Sequence, residues 1–173
     1  SASFTSGILT GVSVTPTVAG SGMTFTVTGS GKTGSASFDV NPLSVDHFAI
    51  WTISSPQTAG TAITGITLTA QDVLNNTVTS YTGTVTYSGT AGITGTSAAF
   101  TAGVLSGVSV TPTVAGSGKT FIVTGGGKTG TSTFNVNPGL LDHFAITETN
   151  GSALTDKIAG TAFNVKIVAQ DLN

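Results

Sequence analysis

Two stretches of this chain decide its organisation: residues 9–50 (LTGVSVTPTVAGSGMTFTVTGSGKTGSASFDVNPLSVDHFAI) and residues 105–146 (LSGVSVTPTVAGSGKTFIVTGGGKTGTSTFNVNPGLLDHFAI). They align without a gap at an offset of 96 residues, and 31 of the 42 aligned positions are identical. Shorter motifs outside this block recur with small changes in length, as when Ala70-Gln71-Asp72 returns as Ala169-Gln170-Asp171. A period of this length exceeds the roughly 20–50 residues of a solenoid repeat. It matches a β-sandwich domain of about 100 residues, so the chain repeats a whole domain.

Within the repeat, apolar and polar residues alternate over short segments, which is the pattern of half-buried strands. Threonine fills many of the polar positions, and its β-branched side chain suits the outer face of a strand. Clusters of Gly, Ser, Asn and Pro separate the segments at a spacing typical of a sandwich. We predict seven strands in the repeat, at residues 47–53, 62–71, 82–88, 97–100, 103–111, 119–124 and 131–137.

The fold class that follows is all-β, with tandem immunoglobulin-like β-sandwich modules of about 96 residues. A closed barrel is the structural alternative. The cysteine pair of antibody domains is absent, and Trp51 falls in the first predicted strand rather than in the third. The core is predicted to consist of eight inward-facing side chains: Leu68, Val85, Phe100, Val108, Phe121, Val123, Phe134 and Val136.

Module boundaries are placed at Asn41-Pro42 and Asn137-Pro138, just before the Asp-His pairs of the two copies. Residues 46–141 then form one complete module. Residues 1–45 form the C-terminal part of a preceding module, with its last four strands. Residues 142–173 form the N-terminal part of a following module, with its first two strands. Either the chain belongs to a longer covalent array, or neighbouring copies complete its ends.

The composition excludes several classes of function. Only 7% of the residues are charged, where about 25% is usual. Five lysines, no arginine and a net charge of −2 give no electrostatic footprint for nucleic acid. The absence of cysteine excludes a disulfide framework and thiolate metal sites. No apolar run approaches the 18 residues that a membrane span requires, and residues 1–22 show no signal-peptide pattern.

Two glycine-rich loops, residues 29–33 and 125–129, resemble phosphate-binding loops at first sight. The Walker A pattern requires glycine five residues before the glycine that precedes lysine. Those positions hold Thr26 and Ile122, and strands rather than helices are predicted to follow. We interpret both loops as hairpin turns.

No catalytic, metal or cofactor site is predicted. His47 and His143 occupy equivalent positions of successive modules and are too far apart to share a metal ion. Acidic residues are too sparse for a catalytic carboxylate pair. A calcium site at Asp72, Asn75 and Asn76 is the alternative to a plain Asn-Asn turn. Asn75 and Asn150 begin sequons for N-glycosylation.

The sequence motifs of the repeat also resemble those of tandem Ig-like repeats of large bacterial and archaeal cell-surface proteins. The resemblance covers most of the chain and is carried by residues 82–85 (TGTV), 137–139 (NPG), 142–146 (DHFAI), 159–163 (AGTAF) and 169–171 (AQD). It implies a stalk, an adhesin shaft or a filament component, and it supplies no catalytic residues. The incomplete end modules depart from the family's usual string of whole domains.

These observations predict a non-enzymatic extracellular or cell-surface structural repeat, assembled by strand complementation between neighbours. The expected partners are neighbouring Ig-like modules or copies of the chain itself, with no nucleic acid and no membrane-spanning segment. The alternative is a carbohydrate- or protein-binding Ig-like adhesion module with a glycan or host cell-surface ligand. The 34 threonines, the lack of cysteine and the type of repeat favour export.

Overall fold

The computed structural model describes residues 3–173, which contain twelve β-strands and no helix. The strands are β1 (Gly20–Gly29), β2 (Lys32–Val40), β3 (His47–Ile50), β4 (Gln57–Thr58), β5 (Ile63–Gln71), β6 (Thr86–Ser88), β7 (Gly95–Thr96), β8 (Val104–Val110), β9 (Gly116–Gly125), β10 (Lys128–Asn137), β11 (His143–Thr147) and β12 (Lys166–Gln170).

Strands β3 to β10 form two separate sheets, which rules out the closed barrel for this part of the chain. One sheet has the order β4-β10-β9-β6-β7 and the other the order β3-β5-β8. All pairs are antiparallel except β4 with β10. The other strands form two hairpin sheets, β1–β2 near the start of the chain and β11–β12 near its end.

One apolar core fills the space between the two central sheets. The eight side chains of the predicted core all lie in it, together with Phe48. The rings of Phe48, Tyr81 and Phe100 meet with centroids 5.1–5.7 Å apart. These distances are typical of favourable edge-to-face aromatic packing, so an aromatic cluster closes one end of the core.

Three strands of the central part differ from the sequence prediction. The strand predicted at residues 82–88 is limited to β6 (Thr86–Ser88). Residues 97–100 are not a strand, although the N–H groups of Ser97 and Phe100 donate to the carbonyls of Val85 and Gly83. These bonds are too irregular for a ladder, and the strand at this point is the shorter β7. The two-residue strand β4, which pairs with β10, was not predicted because alternation cannot show in two residues.

The start of the chain differs from the sequence prediction more than the central part does. The sequence predicts four strands in residues 1–45, whereas the described part of this segment holds only β1, β2 and an isolated bridge between Thr5 and Ile8. Residues 8–14 are the counterpart of β8. Strand β8 pairs with β5. Within residues 3–173, no counterpart of β5 pairs with residues 8–14. Their backbone groups therefore have no ladder to join.

Both hairpin sheets repeat the geometry of the central part. Val27 pairs with Gly34 in β1–β2 as Val123 pairs with Gly130 in β9–β10. The glycine-rich loops are the hairpin turns of these pairs, with positive φ at residues 30, 31, 126 and 127. At the other end, Phe144 pairs with Ala169 as Phe48 pairs with Ala70.

Candidate functional site

The most highly organised polar group of the molecule surrounds Asp72, directly after β5. Its side chain is fully buried. One carboxylate oxygen accepts hydrogen bonds from the backbone N–H groups of Leu74 and Asn76, both at 2.9 Å. The other oxygen accepts from the N–H of Leu43 at 3.0 Å and from the amide of Asn76 at 3.0 Å. Asp72 therefore ties the link between segments to the turn after β5.

These bonds explain how a buried acid stays ionised. Burial raises the pKa of Asp72, but the bonds from the Asn76 side chain and from the backbone N–H groups of Leu43, Asn76 and Leu74 outweigh it and lower the pKa to about 2. Hydrogen bonds to the charged form of a carboxyl group have this effect. The carboxylate is thus a structural acceptor and is unsuited to proton transfer near neutral pH.

Asn76 extends the contact to the start of the chain. Its amide nitrogen donates to the carbonyl of Thr17 at 3.0 Å, and its amide oxygen accepts from the N–H of Ala19 at 2.9 Å. One side chain therefore satisfies two backbone groups of the preceding segment. We call these contacts of Asp72 and Asn76 with residues 17–19 and 43 the first seam.

A second, equivalent seam lies where the central part meets the last segment. The N–H of Gly139, the counterpart of Leu43, donates to the carboxylate of Asp171 at 2.6 Å. Asp171 is the counterpart of Asp72, and its other oxygen accepts from the N–H of Asn173 at 3.0 Å. The same bond between linker and carboxylate is thus built twice.

The two histidines lie beside the seams. His47 Nδ1 lies 3.2 Å from the Asp46 carboxylate, and its Nε2 lies 3.2 Å from the side-chain oxygen of Gln71. His143 repeats the first contact with Asp142 at 2.9 Å. Residues 3–173 contain no group of three His, Cys, Asp or Glu side chains that could hold a metal ion. Each histidine therefore pairs with the aspartate that precedes it in the chain.

The calcium alternative does not fit the turn after β5. The oxygens of Asp72 face N–H donors, and the amide nitrogen of Asn76 points at the same carboxylate. Calcium requires six to eight oxygen ligands, whereas these groups present positive hydrogen ends to the position a cation would take. The turn is an Asn-Asn turn in which Asn75 adopts a positive φ of 64°.

The sheet faces of the end segments are apolar and uncovered. Phe25 and Phe38 are 37% and 42% exposed, whereas their counterparts Phe121 and Phe134 are 0% and 2% exposed. With Val14 and Val40, they line a shallow groove. At the other end, Phe144 is 59% exposed where its counterpart Phe48 is 2% exposed. Each end segment therefore presents half of a core without the other half.

The two sequon asparagines, Asn75 and Asn150, are both exposed in turns. The side-chain oxygen of Asn150 accepts a hydrogen bond from the N–H of Ser152 at 3.0 Å. Their glycosylation stays a prediction.

Sequence reasoning singled out Asp72 and Asn76 as candidate calcium ligands but missed their role in the seams, and it missed Asp171. The signal that could have found them is the return of Ala-Gln-Asp at the same strand end in both copies.

The part of the chain that the structure describes has no helix long and apolar enough to cross a bilayer. No family model matches the chain, and no curated protein matches it. Among solved structures, it is similar to domains 4–9 of the surface layer protein SbsC, at 20% identity and a TM-score of 0.42, over 82% of this chain and 22% of that one. Domains 1–6 of the same protein match at 18% identity and a TM-score of 0.41, over 80% and 23%. The chain thus spans less than a quarter of those structures.

Proposed function

We propose that this chain is a non-enzymatic structural repeat of a cell-surface protein. It would serve as a segment of a stalk, an adhesin shaft or a polymeric filament outside the cell. The proposal treats residues 46–141 as a complete module, with residues 1–45 and 142–173 as parts of its neighbours.

The observation that carries this proposal is the recurrence of the seam. Leu43 donates to Asp72, and Gly139 donates to Asp171, at equivalent points of the repeat. A flexible linker would need no such bond. A joint built twice from the same groups favours a chain whose task is to hold modules in a fixed order and orientation.

The order of the strands supports an Ig-like module. In a constant-type domain the first, second, fourth and fifth strands share one sheet, and the third, sixth and seventh share the other. Strands β3, β5 and β8 take the places of the first, second and fifth strands, and β6, β9 and β10 take those of the third, sixth and seventh. Among the described residues, the first sheet has no fourth strand. The short strand β4 then corresponds to the part of the first strand that crosses to the opposite sheet, where it pairs with the last strand, β10.

The chemistry of the side chains supports a role without catalysis. The buried acid is held as an anion by N–H donors, and each histidine pairs with the aspartate that precedes it. Neither arrangement places a base beside a nucleophile, which covalent catalysis requires.

The alternative is a binding module, which a single observation favours. Trp51, directly after β3, is 68% exposed, and an exposed indole ring is a stacking surface for sugars. A glycan array with the wild-type chain and with Trp51→Ala decides between the two. Binding that is lost in the variant would support the adhesion module.

The structural role is tested on the source cells. Antibodies raised against residues 46–141 should label intact, unpermeabilised cells, and immunogold electron microscopy should place the label on an extended surface structure. Label found only after permeabilisation would contradict the proposal.

A further inference from the structure

We propose that the apolar face of β1–β2 binds the apolar face of β11–β12 of a second copy of this chain, so that copies join end to end. This inference rests on the structural role proposed above and names the partner. We call the two surfaces the start face (Phe25, Val27, Gly34 and Phe38) and the end face (Phe144, Ile146 and Ile167).

The central part of the chain shows how the two faces fit. The counterparts of the start face lie in β9 and β10, and those of the end face lie in β3 and β5. These strands pack against each other around one core, in which Phe121, Phe134 and Phe48 are buried. The molecule thus contains a template of the proposed contact, built from nearly the same sequence.

Gly34 identifies the partner most specifically. It lies in the middle of β2, in regular register opposite Val27, and a positive φ does not require glycine there. Among the described residues, no atom lies within 4 Å of the position that a Cβ would take. Glycine in a strand interior weakens the strand and often marks the close approach of another backbone.

The counterpart of Gly34 shows which backbone approaches. A Cβ on Gly130 would lie 2.1 Å from the carbonyl oxygen of Phe48, so that glycine is required for the Phe48 strand to dock. At the end-to-end contact, Phe144 is the residue that would pass over Gly34. The glycine is present in β2 although no close approach of another backbone within residues 3–173 requires it.

The positions of two charged residues support the same alignment of the start face with the end face. In the central part, Lys128 lies 3.9 Å from the carboxylate of Asp46. Their counterparts are Lys32 on the start hairpin and Asp142 on the end segment, which the contact would bring together. An exposed pair of this kind adds little affinity, but it favours one alignment of the two faces.

The joint would be weaker than a complete module. The two end segments lack counterparts of residues 75–96, which hold the core residues Val85 and Ile93. We therefore expect association that rises with concentration. A contact of this head-to-tail type leads to linear chains unless its rotation closes a ring.

The test uses the 173-residue chain and two variants, Gly34→Val and Phe144→Ala. A Cβ at position 34 has no neighbour within 4 Å among residues 3–173, whereas a valine there would block the docking backbone. The phenyl ring of Phe144 is already exposed, so its loss removes only the end face. Ser37→Val, on the outer face of the same strand, is the matched control. Unchanged melting of the central core in all three variants shows that they fold.

Sedimentation velocity over a concentration series gives the result. The wild type and Ser37→Val should pass beyond twice the 17.0 kDa of one chain, and each blocking variant alone should stay at one chain. An equal mixture of the two blocking variants has one intact start face and one intact end face in each pair, so it should stop at two chains.

Three outcomes would overturn the proposal: a wild type that stays monomeric, a Gly34→Val chain that associates as well as the wild type, or a mixture that grows beyond two chains. A monomeric wild type would mean that covalently adjoining residues cover these faces. If intact cells are nevertheless labelled by the antibody, the structural role stands while the end-to-end contact falls.

Discussion

Phe134 and Phe38 are the same residue of the repeat in two surroundings, which makes them a matched pair. Phe134 lies in the closed core, whereas Phe38 lies on an open sheet face. Truncation of a buried aromatic side chain costs about 3–5 kcal/mol. We expect Phe134→Ala to lose this amount in urea unfolding of the chain and Phe38→Ala to lose about 1 kcal/mol or less. Equal losses would contradict the placement of the core.

The buried carboxylate of Asp72 predicts that the stability of the folded chain falls at low pH. Because its pKa falls from 3.8 to about 2 on folding, its ionised form stabilises the folded state in full above pH 4. That contribution declines as the pH falls through the window from 3.8 to 2. Asp72→Asn should melt at a lower temperature than the wild type at pH 6, and the difference should shrink by pH 2. The melting temperatures of both chains, measured across this range, check the prediction. A constant difference would contradict the role of the charge.

Elements with long alternating patterns could be predicted from the sequence. The strands near residues 62–71, 119–124 and 131–137 lie inside β5, β9 and β10 or overlap them closely, because each buries one face against the core. Shorter pieces could not be predicted. Strand β4 has two residues, and residues 97–100 bond irregularly. The return of Ala-Gln-Asp marks Asp72 and Asp171, but the bonds of the seam were out of reach because local sequence does not show that Asp72 accepts from the N–H of Leu43.

Residues 8–14 show that a strand also depends on its neighbour. They match β8 in sequence, yet they lack the ladder that β5 supplies to β8. A chain in which a copy of residues 46–98 precedes residue 3 would supply that partner. We expect residues 8–14 to become a strand in it, with slower amide hydrogen exchange at Val12 and Val14 than in the 173-residue chain. Equal exchange rates in the two chains would show that the sequence of this segment cannot form the strand.

At the scale of the whole molecule, Asn76 holds the first segment against the central part. Asn76→Ala removes the bonds to Thr17 and Ala19 and also the bond from the Asn76 amide to the Asp72 carboxylate. The chain lacks cysteine, so spin labels can be placed at Thr33→Cys and Thr129→Cys, which are both exposed. We expect the distribution of distances between the labels to broaden in the variant, and the melting temperature of the core to fall because the buried Asp72 carboxylate loses one donor.

The control for this experiment is Asn75→Gly. Asn75 has a positive φ, which glycine adopts without strain, and its side chain does not take part in the seam bonds to residues 17–19. Its distance distribution should match that of the wild type. Broadening in this control as well would assign the effect to the turn and not to the amide of Asn76.

The repeated bond between linker and carboxylate has a geometric consequence. If every joint of a longer assembly applies the same rotation and the same translation, successive modules are related by a single screw operation. Such an assembly follows a helical path whose pitch is set by one joint, however many modules it contains. A change of a few degrees at each joint then accumulates along the path, so residues such as Leu43 and Gly139 govern dimensions far larger than a module.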